Sequence, residues 1–135
     1  MSPLGAVLAV GGFAATVWYF FGPIGSVGWG PPGTEAYLAY ERANRLASVP
    51  LLIHLAGWTL LVRDPGLRRV AAIGALGSLM MFVGNVGEFW IFSEASYASA
   101  ARNLSWFMFL LGALGAIVGL VALAVSVPLR HRLRV

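Results

Sequence analysis

The chain has 135 residues, of which 59% are hydrophobic and only 10% charged, with no cysteine and a formal charge of +4. That balance, with a mean hydropathy of +0.83, excludes intrinsic disorder and a water-soluble globule, and the missing thiols exclude disulfides, thiolate metal sites and cysteine nucleophiles. The nine basic residues are all arginine, and they stand at the ends of apolar segments and not in a patch, which points to membrane topology and away from nucleic acid.

The first apolar run, Leu4 to Phe21, is long enough to cross about 30 Å of hydrocarbon at about 1.5 Å per residue. No basic residue precedes it and the aromatic cluster Trp18, Tyr19, Phe20 and Phe21 follows it, so it reads as a membrane span and not a cleaved leader. Residues 22–33 form an outer loop whose Gly-Pro, Trp-Gly and Pro-Pro-Gly steps forbid regular structure. Thr34 then reads as an N-cap with Glu35 in the first turn. Helix two starts beyond the hydrocarbon, with Tyr37, Tyr40, Glu41, Arg42 and Arg45, becomes apolar after Arg45, and is expected to kink at Pro50. The short turn Arg63-Asp64-Pro65-Gly66 makes helices two and three antiparallel neighbours. Helix three fills Val70 to Phe92, and helix four is expected to end at Pro128 before a basic tail, residues 128–135.

The predicted fold is therefore all-α: a single integral membrane domain, an antiparallel bundle of four transmembrane helices spanning about residues 4–22, 45–62, 69–92 and 104–127. Six arginines (63, 68, 69, 130, 132 and 134) fall on the side of the termini and three (42, 45 and 102) on the other. The excess predicts a multi-pass protein of the cell (inner) membrane with both termini cytoplasmic. Helix four carries Gly112, Gly115 and Gly119, small residues that permit close backbone approach. They serve either the inside of the bundle or a seam between copies in a homo-oligomer or larger membrane complex.

The polar residues inside these helices are the candidate site. At about 1.5 Å per residue, Glu88 lies about 28 Å above Arg69 and Arg45 about 27 Å above Arg63, so both reach the outer edge of the hydrocarbon. A Glu88 to Arg45 ion pair is expected there, with Asn85 a turn deeper and Glu41 and Trp90 nearby. His54 lies about 13 Å from the inner boundary, and is either a neutral, hydrogen-bonded core residue or a proton relay or ligand contact. Trp18, Tyr19, Trp29, Tyr37, Tyr40, Trp90, Tyr97 and Trp106 all fall at the outer end. They form an interfacial belt, or the wall of an outer pocket with Asn85 and Glu88 as its floor.

The run Glu41-Arg42-Ala43-Asn44-Arg45 faintly resembles the start of helix two in the membrane-associated eicosanoid and glutathione metabolism superfamily. Val49 and Leu52 stand where that superfamily has Asn and Glu, so no glutathione site is carried over. No nucleophile and base pair, metal-ligand pair or nucleotide loop is present, and no catalytic residue, cofactor or metal is predicted. The sequence thus points to a non-enzymatic protein that binds a hydrophobic or lipid-like small molecule in the outer half of the bundle, or serves a membrane complex. The alternative is a small proton-coupled transporter using Glu88 with His54 as relay, and a membrane-embedded enzyme is a weaker third reading.

Overall fold

A computed structural model describes residues 2–28, 30–31, 33–96 and 98–132, with side chains through Ser126. It is all-helical among those residues, with three helical segments long and apolar enough to cross a membrane: Pro3–Ile24, Arg68–Ile91 and Ala100–Ser126. Helix α1 (Pro3–Tyr19) starts where the Ser2 hydroxyl accepts the Gly5 N–H and Pro3 presets the first turn. It runs into a π-helical turn at Phe20–Ile24 that contains Pro23. Helix α2 (Glu35–Leu46) is capped by Thr34, whose hydroxyl accepts the Tyr37 N–H at 3.3 Å. Helix α3 spans Ser48–Leu61, α4 spans Arg68–Val86 and continues into a second π-helical turn at Gly87–Ile91, and α5 spans Ala100–Arg132.

Two boundaries differ from the sequence reading. The expected kink at Pro50 appears as a break at Ala47, between α2 and α3. A proline has no N–H and its ring clashes with the carbonyl four residues earlier, here Leu46, so the disruption falls one turn before the proline itself. Pro50 sits in the first turn of α3, where its N–H would lack a helical partner in any case. The second apolar run thus yields a 14-residue α3, short of a full span by itself. Helix α5 begins at Ala100, before the predicted span, and its backbone continues through Pro128 to Arg132. The Arg134 end of the basic tail lies outside the described residues, as do Trp29 and Tyr97 of the aromatic set.

Small residues set the helix pairing. A Cβ on Gly57 of α3 would collide with the backbone of Leu8 and Ala9 of α1, and one on Gly12 would lie 2.5 Å from the His54 amide nitrogen. On the other side a Cβ on Gly77 of α4 would strike Ala116 of α5, and Gly74 and Gly119 meet backbone to backbone. In each pair the contacting numbers run in opposite directions, so the neighbours are antiparallel. Between the pairs, the Trp58 indole occupies the space left by Gly74 and anchors a core of Ala9, Leu61, Leu67, Ala71 and Leu123. The second core cluster, Leu51, Met81 and Ala116, is filled out by Phe13, Phe82 and Phe109. Close approach at glycine maximises dispersion contact, the main attraction available between helices where lipid replaces water.

Candidate functional site

Both π turns lie at the same end of the bundle as α2 and the first turns of α5, the end that the sequence reading places outside. A π turn accommodates one residue more than an α-turn and re-aims the side chains beyond it. Here the two turns carry Phe20 on one side and Glu88 and Phe89 on the other. Helix α2 lies across them and buries Tyr37, Glu41 and Asn44, a face repeating at four and then three residues.

The ion pairing differs from the one expected. Arg45 does not meet Glu88: its Nη2 donates to Glu41 Oε1 at 2.8 Å and to Ser93 Oγ at 3.3 Å, and its Nε donates to the Phe89 carbonyl at 2.7 Å. Its guanidinium also lies 5.5 Å from the Trp90 ring. The cation facing Glu88 is Arg102 of α5, whose Nε is 3.9 Å from Glu88 Oε1. Arg102 is 2% exposed; its Nη1 donates to the carbonyls of Ser93 and Ala95 at 3.2 and 3.0 Å, and Tyr37 donates its hydroxyl to the same Ser93 carbonyl. At 3.9 Å the pair is an electrostatic contact beyond hydrogen-bond length, so the Glu88 oxygens keep their lone pairs.

Glu88 lines a half-open pocket of about 50 Å³ together with Asn44, Asn85, Tyr40 and the rings of Phe20, Phe89, Trp106 and Phe109. Phe20 and Phe109 close one wall with ring centroids 5.3 Å apart, and Tyr40 meets Phe89 edge-on at 5.8 Å. Asn44 and Asn85 are each 1% exposed. The Asn44 amide nitrogen donates to the Tyr40 carbonyl at 2.8 Å, and that of Asn85 donates to the Asn44 carbonyl at 3.1 Å. Those carbonyl partners fix which end of each amide is nitrogen. The two Oδ1 atoms are buried with no hydrogen-bond partner. Burial raises the Tyr40 phenol above its usual range and the Glu88 carboxylate adds to the rise, against opposing effects of the Asn44 amide and Arg102; the group stays a neutral hydroxyl at physiological pH.

His54 is remote from this pocket and fully buried. Its Nδ1 lies 2.6 Å from the Ala9 carbonyl, and the Trp58 indole N–H donates to Nε2 at 3.2 Å. An indole can only donate, so Nε2 is the acceptor and Nδ1 carries the proton. Both ring nitrogens are thereby engaged inside the protein, and Phe13 covers the ring at 5.3 Å. Gly112, Gly115 and Gly119, weighed as a seam between copies, face α4 of the same chain, where Met81 and Gly74 leave no room for a Cβ on Gly112 and Gly119 and Gly77 makes one on Gly115 tight at 3.2 Å.

Of the predicted site residues, the structure brings Asn85 and Glu88 together in the pocket, groups Arg45 with Glu41 and Trp90 beside it, and sets His54 apart. Sequence reasoning missed Arg102, counted only as a topology charge, and passed over Asn44, Ser93 and the phenylalanines of the pocket. An arginine in the first turn of an otherwise apolar helix was the available signal for Arg102. Among the described residues no cluster of three or more histidine, aspartate or glutamate side chains could hold a metal. Fold and site together define a small helical protein with three membrane-length helices and a polar-floored, aromatic-walled pocket at one end. No protein-family model, curated protein or solved structure matches the chain.

Proposed function

We propose that the protein is a small, non-enzymatic, multi-pass protein of the cell membrane that binds a lipid-like molecule in this pocket, alone or as part of a membrane complex. The carrying observation is the pair of buried, unpartnered Oδ1 atoms of Asn44 and Asn85 beside Glu88 within a ring of aromatic side chains. Leaving a buried acceptor without a partner costs about 1 to 3 kcal/mol, and a ligand that supplies a donor recovers it. The membrane setting draws support from the outward faces: Val7, Leu76, Leu114, Val118 and Val121 are all more than half exposed, a surface that water would penalise and lipid would not. Arginine distribution favours cytoplasmic termini.

Proton-coupled transport with His54 as relay draws less support, because a relay needs a ring nitrogen open to exchange and both are held by internal partners. The test is native mass spectrometry of protein purified in mild detergent. A discrete co-purifying small molecule, lost in Glu88→Gln while the protein remains folded, is the expected result. A ligand-free spectrum for both proteins, with proton flux in vesicles that Glu88→Gln abolishes, would replace binding by transport.

A further inference from the structure

Resting on the binding reading above, we infer that the ligand's head is a primary ammonium on an apolar body, seated between Asn44 Oδ1, Asn85 Oδ1 and the Glu88 carboxylate.

Of the polar groups that line the pocket, Asn44 Oδ1, Asn85 Oδ1 and the Glu88 carboxylate only accept hydrogen bonds, the Tyr40 hydroxyl accepts or donates, and the Trp106 indole N–H only donates. The two amides have turned their nitrogens onto backbone carbonyls, leaving oxygen. Glu88 supplies a carboxylate whose nearest cation is 3.9 Å away, and Tyr40 supplies a hydroxyl oxygen. No basic side chain lines the pocket; Arg102, with Nε 3.9 Å from Glu88, has Nη1 committed to the Ser93 and Ala95 carbonyls. An anionic head would face these three acceptors with only the Tyr40 hydroxyl and the Trp106 N–H to replace its hydration. A hydroxyl head has one donor for three acceptors, whereas an –NH3⁺ group has three donors.

The walls select in the same direction. Phe20, Phe89, Trp106, Phe109 and Tyr40 present aromatic rings, whose faces attract cations and offer nothing comparable to an anion. The volume, about 50 Å³, suits a small head group, since a cavity of about 10 to 15 Å³ already holds one water molecule. The half-open mouth then places the apolar body of the ligand outside, against the exposed flank of Trp106 and the lipid. A quaternary head without N–H brings no donor to these acceptors.

The probes are n-octylammonium, n-octanol, n-octanoate and n-octyltrimethylammonium, titrated at neutral pH into the full chain in nanodiscs and read by tryptophan fluorescence, with Trp106→Phe as the site control. Saturable binding of n-octylammonium is expected to be at least about tenfold tighter than that of the other three, the equivalent of about 1.4 kcal/mol. Glu88→Gln is expected to reduce it by a similar factor, and Asn44→Leu, which removes one acceptor, to weaken it as well. The ligand series on the unaltered chain decides the question should either variant fail to fold. If n-octanol or n-octanoate binds as tightly as n-octylammonium, with the signal lost in Trp106→Phe, the pocket stands and the ammonium assignment falls. If no probe shows saturable, Trp106-dependent binding, the binding reading falls with it.

Discussion

Of the three arginines at this end of the bundle, Arg45 and Arg102 are the two weighed against Glu88, and their burial decides which one matters. The Arg102 side chain is 2% exposed and that of Arg45 34%. Removing one partner of a buried pair leaves the other charge uncompensated and costs about 3 to 5 kcal/mol. A pair with a third of the arginine in solvent is screened and contributes about 1 kcal/mol or less. Arg102→Ala is therefore expected to lower the thermal midpoint in detergent much more than Arg45→Ala. Adding Glu88→Gln to Arg102→Ala should recover part of the loss, because the stranded carboxylate is gone. Equal losses for the two alanine variants, or no recovery in the double variant, would remove Arg102 as the counterion. The choice between these arginines was not legible in the sequence. Counting residues gives depth along each helix, and depth alone puts Arg45 level with Glu88. Which helix turns its arginine toward Glu88 depends on lateral neighbours, and α4 is drawn against α5 by glycine contacts that no single helical wheel displays. The Asn85 and Glu88 stripe, in contrast, was legible, since both share a face with Gly74, Gly77, Met81 and Gly84.

Among the elements, glycine position separates structural need from tolerance. Gly57 and Gly77 each stand where a Cβ would meet a neighbouring helix's backbone, which cannot move aside as a flexible side chain can. Gly11, on the same helix as Gly12, has open space around it. Gly57→Val and Gly77→Val are expected to abolish folded protein or drop its thermal midpoint steeply. Gly11→Ala should be neutral or raise stability by up to about 1 kcal/mol through helix propensity. A Gly11→Ala loss as large as that of Gly57→Val in the same melting assay would refute the helix pairing. Helix positions were readable because long apolar runs have few alternatives. The break at Ala47 and the two π turns were not, because each is a compromise between local backbone chemistry and contacts made elsewhere in the chain.

At the scale of the whole molecule the testable quantity is orientation. The absence of cysteine makes single substitutions clean reporters. Ser26→Cys and Ser96→Cys are expected to react with a membrane-impermeant maleimide on intact cells, and Asp64→Cys only after lysis. Labelling of Asp64→Cys alone on intact cells would invert the topology, and equal labelling of all three would indicate dual insertion. The four apolar runs made the bundle legible from composition alone. What they concealed is its division of labour: one end is closed by Trp58, Leu61 and Leu67, and the other leaves acceptor oxygens without partners.

The π turns at Phe20–Ile24 and Gly87–Ile91 have a genetic consequence. A π turn is an α-helix carrying one inserted residue, and deleting a residue restores the α register and rotates everything beyond it by about 100°. In this protein what lies beyond is the loop end, while the glycine contacts deeper in α1 and α4 precede the turns and keep their phase. Loss or gain of a single codon there re-aims the residues that line the pocket without disturbing the helix pairs that hold the fold, so the lining of the pocket can change in steps of one amino acid.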